Sequence, residues 1–292
     1  MGAFTHMRKI ICENSYGYKL EFAYSFPFFL SDYKGIHEYS GSVATVKSAF
    51  GIGVSYIGTS VNKRNITLVI AIKDDDKMQI RKNQLYNIFP LKNKGTLYYH
   101  EGEIVRKINY YVESVDFSRN ANVIYYSISL ICPSPYFEDS EETIATLKNW
   151  DKLIEFPIEI EDEVGIEFGS KNESTTIEID NNSHIDFGLT ITLQASSKVV
   201  NPSIKNLSSN EILKLNYTME AGDTIIISTY NNEKNISLIS ANDEEKNITN
   251  SLVFGTKFLQ AKNGSNRFVV DAESGVGNLE LQIAYSNYYE AV

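Results

Sequence analysis

The sequence predicts a mainly β protein with one or two short helices: a β-rich N-terminal domain followed by an antiparallel β-sandwich. Three observations predict it. Short runs of β-branched and aromatic residues alternate apolar with polar and are punctuated by Asn, Ser and Gly. One long stretch, residues 74–90, instead spaces its apolar residues as a helix does. Charge changes abruptly near Trp150: residues 1–150 carry 17 basic and 15 acidic side chains, while residues 151–292 carry 10 and 22. Such a switch marks a domain boundary. The chain is 292 residues long, which suits two domains of ordinary size. The expected division is 7–138, a linker at 139–152, and 153–292.

Taken in order, residues 1–6 read as an expression scar before a native start at Met7. Residues 8–13 form a first strand, Asn14-Ser15-Tyr16-Gly17 a turn, and 18–24 the return strand. Residues 65–72 are a long apolar strand, and Tyr98 and Tyr99 end another before a His100-Glu101-Gly102 turn. Residues 107–117 put Ile108, Tyr110 and Val112 on one face, and 122–132 alternate again. Asp74, Asp75 and Asp76 precede Met78, Leu85, Ile88 and Phe89 at helical spacing, with Pro90 as the stop, so a short amphipathic helix is expected over 78–89. Ser140-Glu141-Glu142-Thr143 offers an N-cap and early acids, predicting a second helix over 140–147. Beyond Trp150 only strands are expected: 153–161, 175–179, 189–193, 211–215, 224–228, 236–239, 267–270 and 279–285. Their regular spacing is that of a sandwich.

Composition excludes several classes. With 42% hydrophobic and 22% charged residues, the chain is neither disordered nor collagenous. No apolar run approaches the roughly 18 residues of a membrane span, and no signal-peptide pattern opens the chain. The acidic second half argues against binding nucleic acid or an anionic membrane. Cys12 and Cys132 sit in apolar runs and read as buried hydrophobes. His6, His37, His100 and His184 lack metal-ligand spacing, and the three aspartates lack the spacing of a calcium loop.

Near-misses to catalytic motifs fail on chemistry. The stretch 53–60 resembles a phosphate-binding loop, but Thr59 stands where the phosphate-reaching lysine is needed. The same stretch nearly forms a nucleophile elbow around Ser55, with its final Gly one residue late. No catalytic residue, cofactor or metal is expected. A glycosidase is poorly supported, because carboxylates alone do not define one.

The aromatic surplus, 19 Tyr and 15 Phe, raises the one functional question. Tyr18, Phe22, Tyr24, Phe26, Phe28 and Phe29 crowd the first strands. They are either an exposed interface between subunits or one wide core against the 78–89 helix.

Motifs along nearly the whole chain resemble the distal tail proteins of phages with long non-contractile tails. The first domain carries Ile11-Cys12-Glu13-Asn14-x-x-Gly17, Phe28-Phe29-Leu30, Gly35, Arg64-Asn65-Ile66-Thr67-Leu68, Arg81 and Gly95-Thr96-Leu97. It closes with Cys132-Pro133-Ser134-Pro135-Tyr136-Phe137. The second carries Asn201-Pro202-x-Ile204, Gly222-Asp223-x-Ile225-x-Ile227-x-Thr229, Phe258-Leu259 and Gly264-x-Asn266-x-Phe268. Two departures are the Tyr288-Tyr289-Glu290-Ala291-Val292 end and the long Asn-rich loops at 231–250. The resemblance implies a non-enzymatic virion protein: a homohexameric ring at the tail tip, built by the first (belt) domain around the channel through which DNA only passes. A galectin-like sandwich projects outward. Implied partners are copies of itself, the tail tube protein, a tail-associated hub or lysin protein, and a receptor-binding or baseplate protein. No membrane is involved, and assembly is expected in the host cytoplasm. The alternative is a carbohydrate-binding module whose sandwich grips cell-wall sugars through Tyr side chains.

Overall fold

A computed structural model describes residues 8–47, 49, 51–147, 150–152, 169–171, 176–231 and 233–292. The scar expected at 1–6 and the strand expected at 153–161 lie outside these residues. The chain divides into two compact units, Met1–Ser140 with Tyr288–Val292, and Glu141–Asn287. Residues 288–292, expected with the sandwich, therefore belong to the first unit.

The first unit contains β1 (Arg8–Asn14), β2 (Lys19–Ala23), β3 (Phe29–Lys34), β4 (Gly41–Val46), β5 (Ser55–Val61), β6 (Arg64–Lys73), α1 (Met78–Ile88), β7 (Lys94–Glu101), β8 (Ile104–Asn120), β9 (Val123–Cys132) and β10 (Phe137–Asp139). Hydrogen bonding runs β8-β7-β1-β2-β3-β6-β9, and β9 pairs back onto β8. Seven strands thus close into a barrel, which removes the free edges an open sheet would present. Closure depends on the 17-residue β8. Its first half pairs with β7 and its second with β9, and a bulge between Val112 and Ser114 bends it. The extra residue reverses the burial parity, so Val112 is buried before it and Val115 packs on the core after it. Glu113, freed by the bulge, accepts a 2.7 Å bond from the Ser129 hydroxyl.

Strands that alternate in sequence alternate in burial: Ile10 and Cys12, Ile66 to Ile70, Ile108 to Val112, and Ile124 to Cys132 all point inward. Helix α1 lays Leu85 and Ile88 on this core, and Phe89 stacks on Phe22 at 5.9 Å. Asp75 sits just before the helix, where its carboxylate accepts the Lys77 N–H at 2.9 Å and pairs with Arg81 at 2.8 Å. Asn14 fixes the first turn: its side-chain oxygen accepts from the Tyr16 and Tyr18 amides, and its amide donates 2.7 Å to the Asn87 carbonyl of α1.

The second unit contains β11 (Thr143–Leu147), β12 (Trp150–Lys152), β13 (Gly169–Lys171), β14 (Thr176–Asn181), β15 (Thr190–Ala195), β16 (Val199–Asn206), β17 (Glu211–Lys214), β18 (Thr218–Met219), β19 (Thr224–Ser228), β20 (Asn235–Ile239), β21 (Glu245–Asn247), β22 (Gly264–Ser274) and β23 (Leu279–Tyr285). A six-stranded sheet β11-β23-β15-β19-β20-β21 and a five-stranded sheet ordered β14-β22-β16-β17, with β18 on β16, form an antiparallel sandwich. Ile191, Leu193, Ile225, Ile227, Leu281 and Ile283 of the first sheet and Ile177, Ile204, Leu213 and Phe268 of the second are buried. The helix expected over 140–147 does not form. Thr143–Leu147 is a strand registered on β23 from Thr143↔Tyr285 to Leu147↔Leu281. Three β-branched residues in five, plus a ladder partner, outweigh a capping signal of about 1 kcal/mol.

Buried asparagines tie the loops of this unit. Asn206 donates 3.0 Å to Asn266, which donates 2.6 Å to the Lys262 carbonyl, and Asn181 donates 3.0 Å to the Ala261 carbonyl. The final strand, β24 (Tyr288–Tyr289), pairs with β10 beside β8.

Candidate assembly surface

With the barrel closed, one element of the first unit stands apart from its sheet among the described residues. Strands β4 and β5 form a separate two-stranded sheet, paired from Gly41↔Val61 to Val46↔Ser55. Every residue of the two strands except Gly58 is exposed. Val43, Val54, Tyr56 and Ile57 are each more than 60% exposed, and Ile52 at the turn is fully so. From 40 to 62 the one charged residue is Lys47. An isolated hairpin is marginal in water. Natural proteins blunt exposed edges with charges or proline, and this arm has neither device beyond Lys47. A two-edged arm with this much exposed apolar surface and a single charge is the candidate assembly surface of this unit.

The base of the arm is tied by hydrogen bonds. The Ser40 carbonyl accepts the Asn62 N–H at 3.1 Å, closing the loop. Arg64, two residues past that closure, is buried at 4% exposure. Its guanidinium donates to the carbonyls of Gly35 (2.9 Å), Ile36 (2.8 Å), Pro135 (2.7 Å) and Glu290. It also lies 4.9 Å over the Phe137 ring. Burial pulls its pKa down from the usual guanidinium value. Gly35 has φ +81°, and a Cβ there would stand 1.9 Å from the Asn65 carbonyl oxygen, so only glycine fits. One cation therefore joins the entry to the arm, the Cys-Pro-x-Pro closing segment and the last residues of the chain.

The aromatic cluster read from the sequence divides. Phe22 and Phe28 are core residues, packed edge-on at 6.1 Å, so they are withdrawn from any contact surface. Phe29 is half-buried, stacked on Phe26 at 5.7 Å and edge-on to Tyr24 at 6.2 Å. Tyr18, Tyr24 and Phe26 are exposed, with Lys73 4.6 Å over the Phe26 ring. Sequence reasoning missed the arm. It read 53–60 as a failed phosphate loop, a failed nucleophile elbow and a turn in a β-rich context, whereas Ser55–Val61 is strand. The available signal was 23 residues from 40 to 62 with a single charge.

Side chains suited to other chemistry are engaged in packing. Burial pushes the Cys132 thiol up to about 12 and the Cys12 thiol higher still; these are inert hydrophobes, not nucleophiles. His100 is held below its usual value by burial and by Lys9. Among the described residues, no three His, Cys, Asp or Glu side chains gather as a metal site would. In the sandwich, Tyr217, Tyr230 and Tyr285 are half-buried, and Tyr285 stacks on Phe187 at 5.8 Å. None is an open platform for a sugar ring.

Comparison with known proteins completes the description. Residues 15–132 match the family model for a phage tail protein RIFT-related domain, and 182–289 match that for a siphovirus-type tail component, C-terminal domain. The chain is similar in fold to the crystal structure of phage SPP1 Dit, described as a paradigm of the hub adsorption apparatus in phages infecting Gram-positive bacteria. The TM-score is 0.68 at 10% identity, covering 96% of this chain and 99% of that one. It is also similar to chains of the phage p2 baseplate in its activated conformation with Ca and with Sr. Both have TM-scores of 0.56, at 13% and 12% identity, covering 98% of this chain and 99% of theirs. No curated protein matches in sequence.

Proposed function

We propose, from the premise that this chain belongs to the distal tail protein family of long-tailed, siphovirus-type phages, that it forms a hexameric ring at the tail tip through its barrel unit. As a structural component of the tail and baseplate it is a virion protein. The finer reading is that the ring, put together in the host cytoplasm, joins the tail tube to the host-adhesion device. Its neighbours are then the tail tube protein, the tail-associated hub or lysin protein, and a receptor-binding or baseplate protein. DNA only passes through, and the chain itself catalyses nothing.

The observation that carries the reading is the β4–β5 arm. A closed ring uses head-to-tail contacts, so each subunit needs two different complementary patches. The arm is one patch. The exposed aromatic rings Tyr18, Tyr24 and Phe26 offer a second on the same unit. The sandwich half, near −12 in net charge, resists close packing with its copies and suits the periphery. The carbohydrate-binding alternative is the weaker reading, because the sandwich tyrosines are half-buried.

Sedimentation of the full chain over a range of concentrations, with electron microscopy of the largest species, tests this. A six-fold ring with the barrel units inside is the expected result. A ring with the sandwich units at the axis, or a monomer even in the presence of the tail tube protein, overturns it.

A further inference from the structure

The five-stranded sheet of the sandwich carries a second surface that nothing so far accounts for. Segment 251–257 runs beside β17: the Asn216 N–H bonds the Ser251 carbonyl (2.8 Å), Val253 N–H the Lys214 carbonyl (2.9 Å) and Lys257 N–H the Ile212 carbonyl (3.0 Å). From Lys214 to Ile212, β17 advances two residues while its neighbour advances four, from Val253 to Lys257. The surplus is ejected as a turn. Thr256 holds that turn shut, with its N–H (3.2 Å) and its hydroxyl (2.7 Å) both bonded to the Val253 carbonyl. Gly255 supplies the required φ of +83°. At the tip the Phe254 ring is fully exposed. An apolar ring presented to water on a hydrogen-bonded, glycine-shaped turn has the form of an interface anchor.

The ground beside it matches. Ile212 is 40% and Leu207 45% exposed, and Lys205 pairs across the sheet with Ile212. Lys214, two residues on from Ile212, shares its face of the strand. Neither Lys205 nor Lys214 joins an ion pair among the described residues, whereas the nearby Lys257 and Arg267 are held by Glu211 and Glu178. Residues 151–292 have 22 acidic against 10 basic side chains, so uncompensated lysines around exposed apolar residues are a local reversal of sign. Charge complementarity selects an acidic partner.

We propose that the Phe254 turn and the adjoining Ile212, Leu207, Lys205 and Lys214 form a docking surface for a second virion protein, one that presents an apolar pocket bordered by carboxylates. The proposal rests on the reading of this chain as a tail-tip component and adds the surface by which its outer unit holds a partner.

The test places the photo-cross-linking residue p-benzoylphenylalanine at position 254 of the full chain, supplied during phage assembly. Purified tails are irradiated and the products read by mass spectrometry. Because Phe254 packs on nothing, the melting temperature of the variant should match that of the parent. The expected product is a cross-link to a different virion protein at an Asp- or Glu-rich segment, with a several-fold lower yield in the Lys205→Glu, Lys214→Glu background. Tails that contain the chain but yield no cross-link, or cross-links only to copies of itself or to glycan, overturn the proposal while leaving the tail-tip reading intact. Tails that lack the chain overturn both.

Discussion

Tyr110 lays its ring on the bare Cα of Gly95, its direct partner across the β7–β8 pair. A Cβ at Gly95 would stand 2.3 Å from the ring carbon that bears the hydroxyl. The ring is buried, with Phe89 6.1 Å away. The glycine of the Gly95-Thr96-Leu97 motif is thus a seat for an aromatic side chain, an arrangement that pins strand register.

Gly95→Ala should therefore destabilise the barrel unit by about 1–3 kcal/mol, the usual range for overpacking. The loss should shrink markedly in a Tyr110→Leu background, where the ring is gone. Denaturant titration of the two single variants and the double variant measures the coupling. Additive losses would mean that the two residues do not compete for one space. Tyr110→Phe should be close to neutral, since the buried hydroxyl has only the weak Cys12 thiol beside it.

Arg64→Met should destabilise the first unit by about 3 kcal/mol or more, because it orphans several buried carbonyls at once. Arg64→Lys should recover only part, since an ammonium cannot reproduce the planar fork. Carboxypeptidase digestion gives an independent readout: residues 288–292 should be released faster from Arg64→Met than from the parent chain.

Val43→Ser with Ile57→Ser should leave the melting temperature nearly unchanged, because surface substitutions fall within about 0.5 kcal/mol, yet it should weaken self-association. Velocity sedimentation and calorimetry on the same samples separate the two effects. A fall in melting temperature without a change in assembly would show that the arm belongs to the fold of the single chain.

Cys12 and Cys132 should resist thiol reagents at pH 8 in the folded protein and react at once after denaturation. Both folded values lie above the unfolded thiol value, with Cys132 at about 12. The folded chain then keeps protons that the unfolded chain releases above about pH 8.5. The corresponding stability is fully present below that pH and falls as pH rises towards the folded values. Unfolding free energy measured between pH 7 and 10 should decline over the upper part of that range.

Much of this was legible beforehand. The alternation in β9 and in the first half of β8 gave both the strand and its buried face, because a pleated strand with one wet side writes its geometry into sequence at period 2. Barrel closure was not legible. It depends on which residue of β8 is extra, and Glu113 carries no mark of that in a Val-Glu-Ser-Val run. The Ser140–Thr143 capping pattern misled because a local cap is weak against a strand partner 142 positions away, as Thr143 is from Tyr285. Gly35 and Arg64 stood out by family likeness, but their physical link, a glycine forced against the Asn65 carbonyl and a cation shared among four carbonyls, required the fold. Phe22 and Phe28 could not be told from Tyr24 and Phe26 by type alone; Phe22 stacks on Phe89 of a distant helix end and Phe28 packs edge-on to Phe22, contacts that only the fold creates.

The return of β24 to β10 has a mechanical consequence. The chain leaves the first unit just after Asp139 and re-enters at Tyr288, and Glu138 and Tyr288 are cross-strand partners. The sandwich is thus a cassette spliced between two neighbouring strands and held by two covalent tethers side by side. Both covalent links therefore meet the first unit at the same end of the β10–β24 pair. There Arg106 bonds Asp139 at 2.6 Å and lies 3.9 Å over the Tyr289 ring, while the Tyr289 hydroxyl reaches the same carboxylate. Those three side chains clasp β10 and β24 beside β8 at the point where the inserted segment begins and ends, so an insertion there asks of the first unit only that its two ends lie close together.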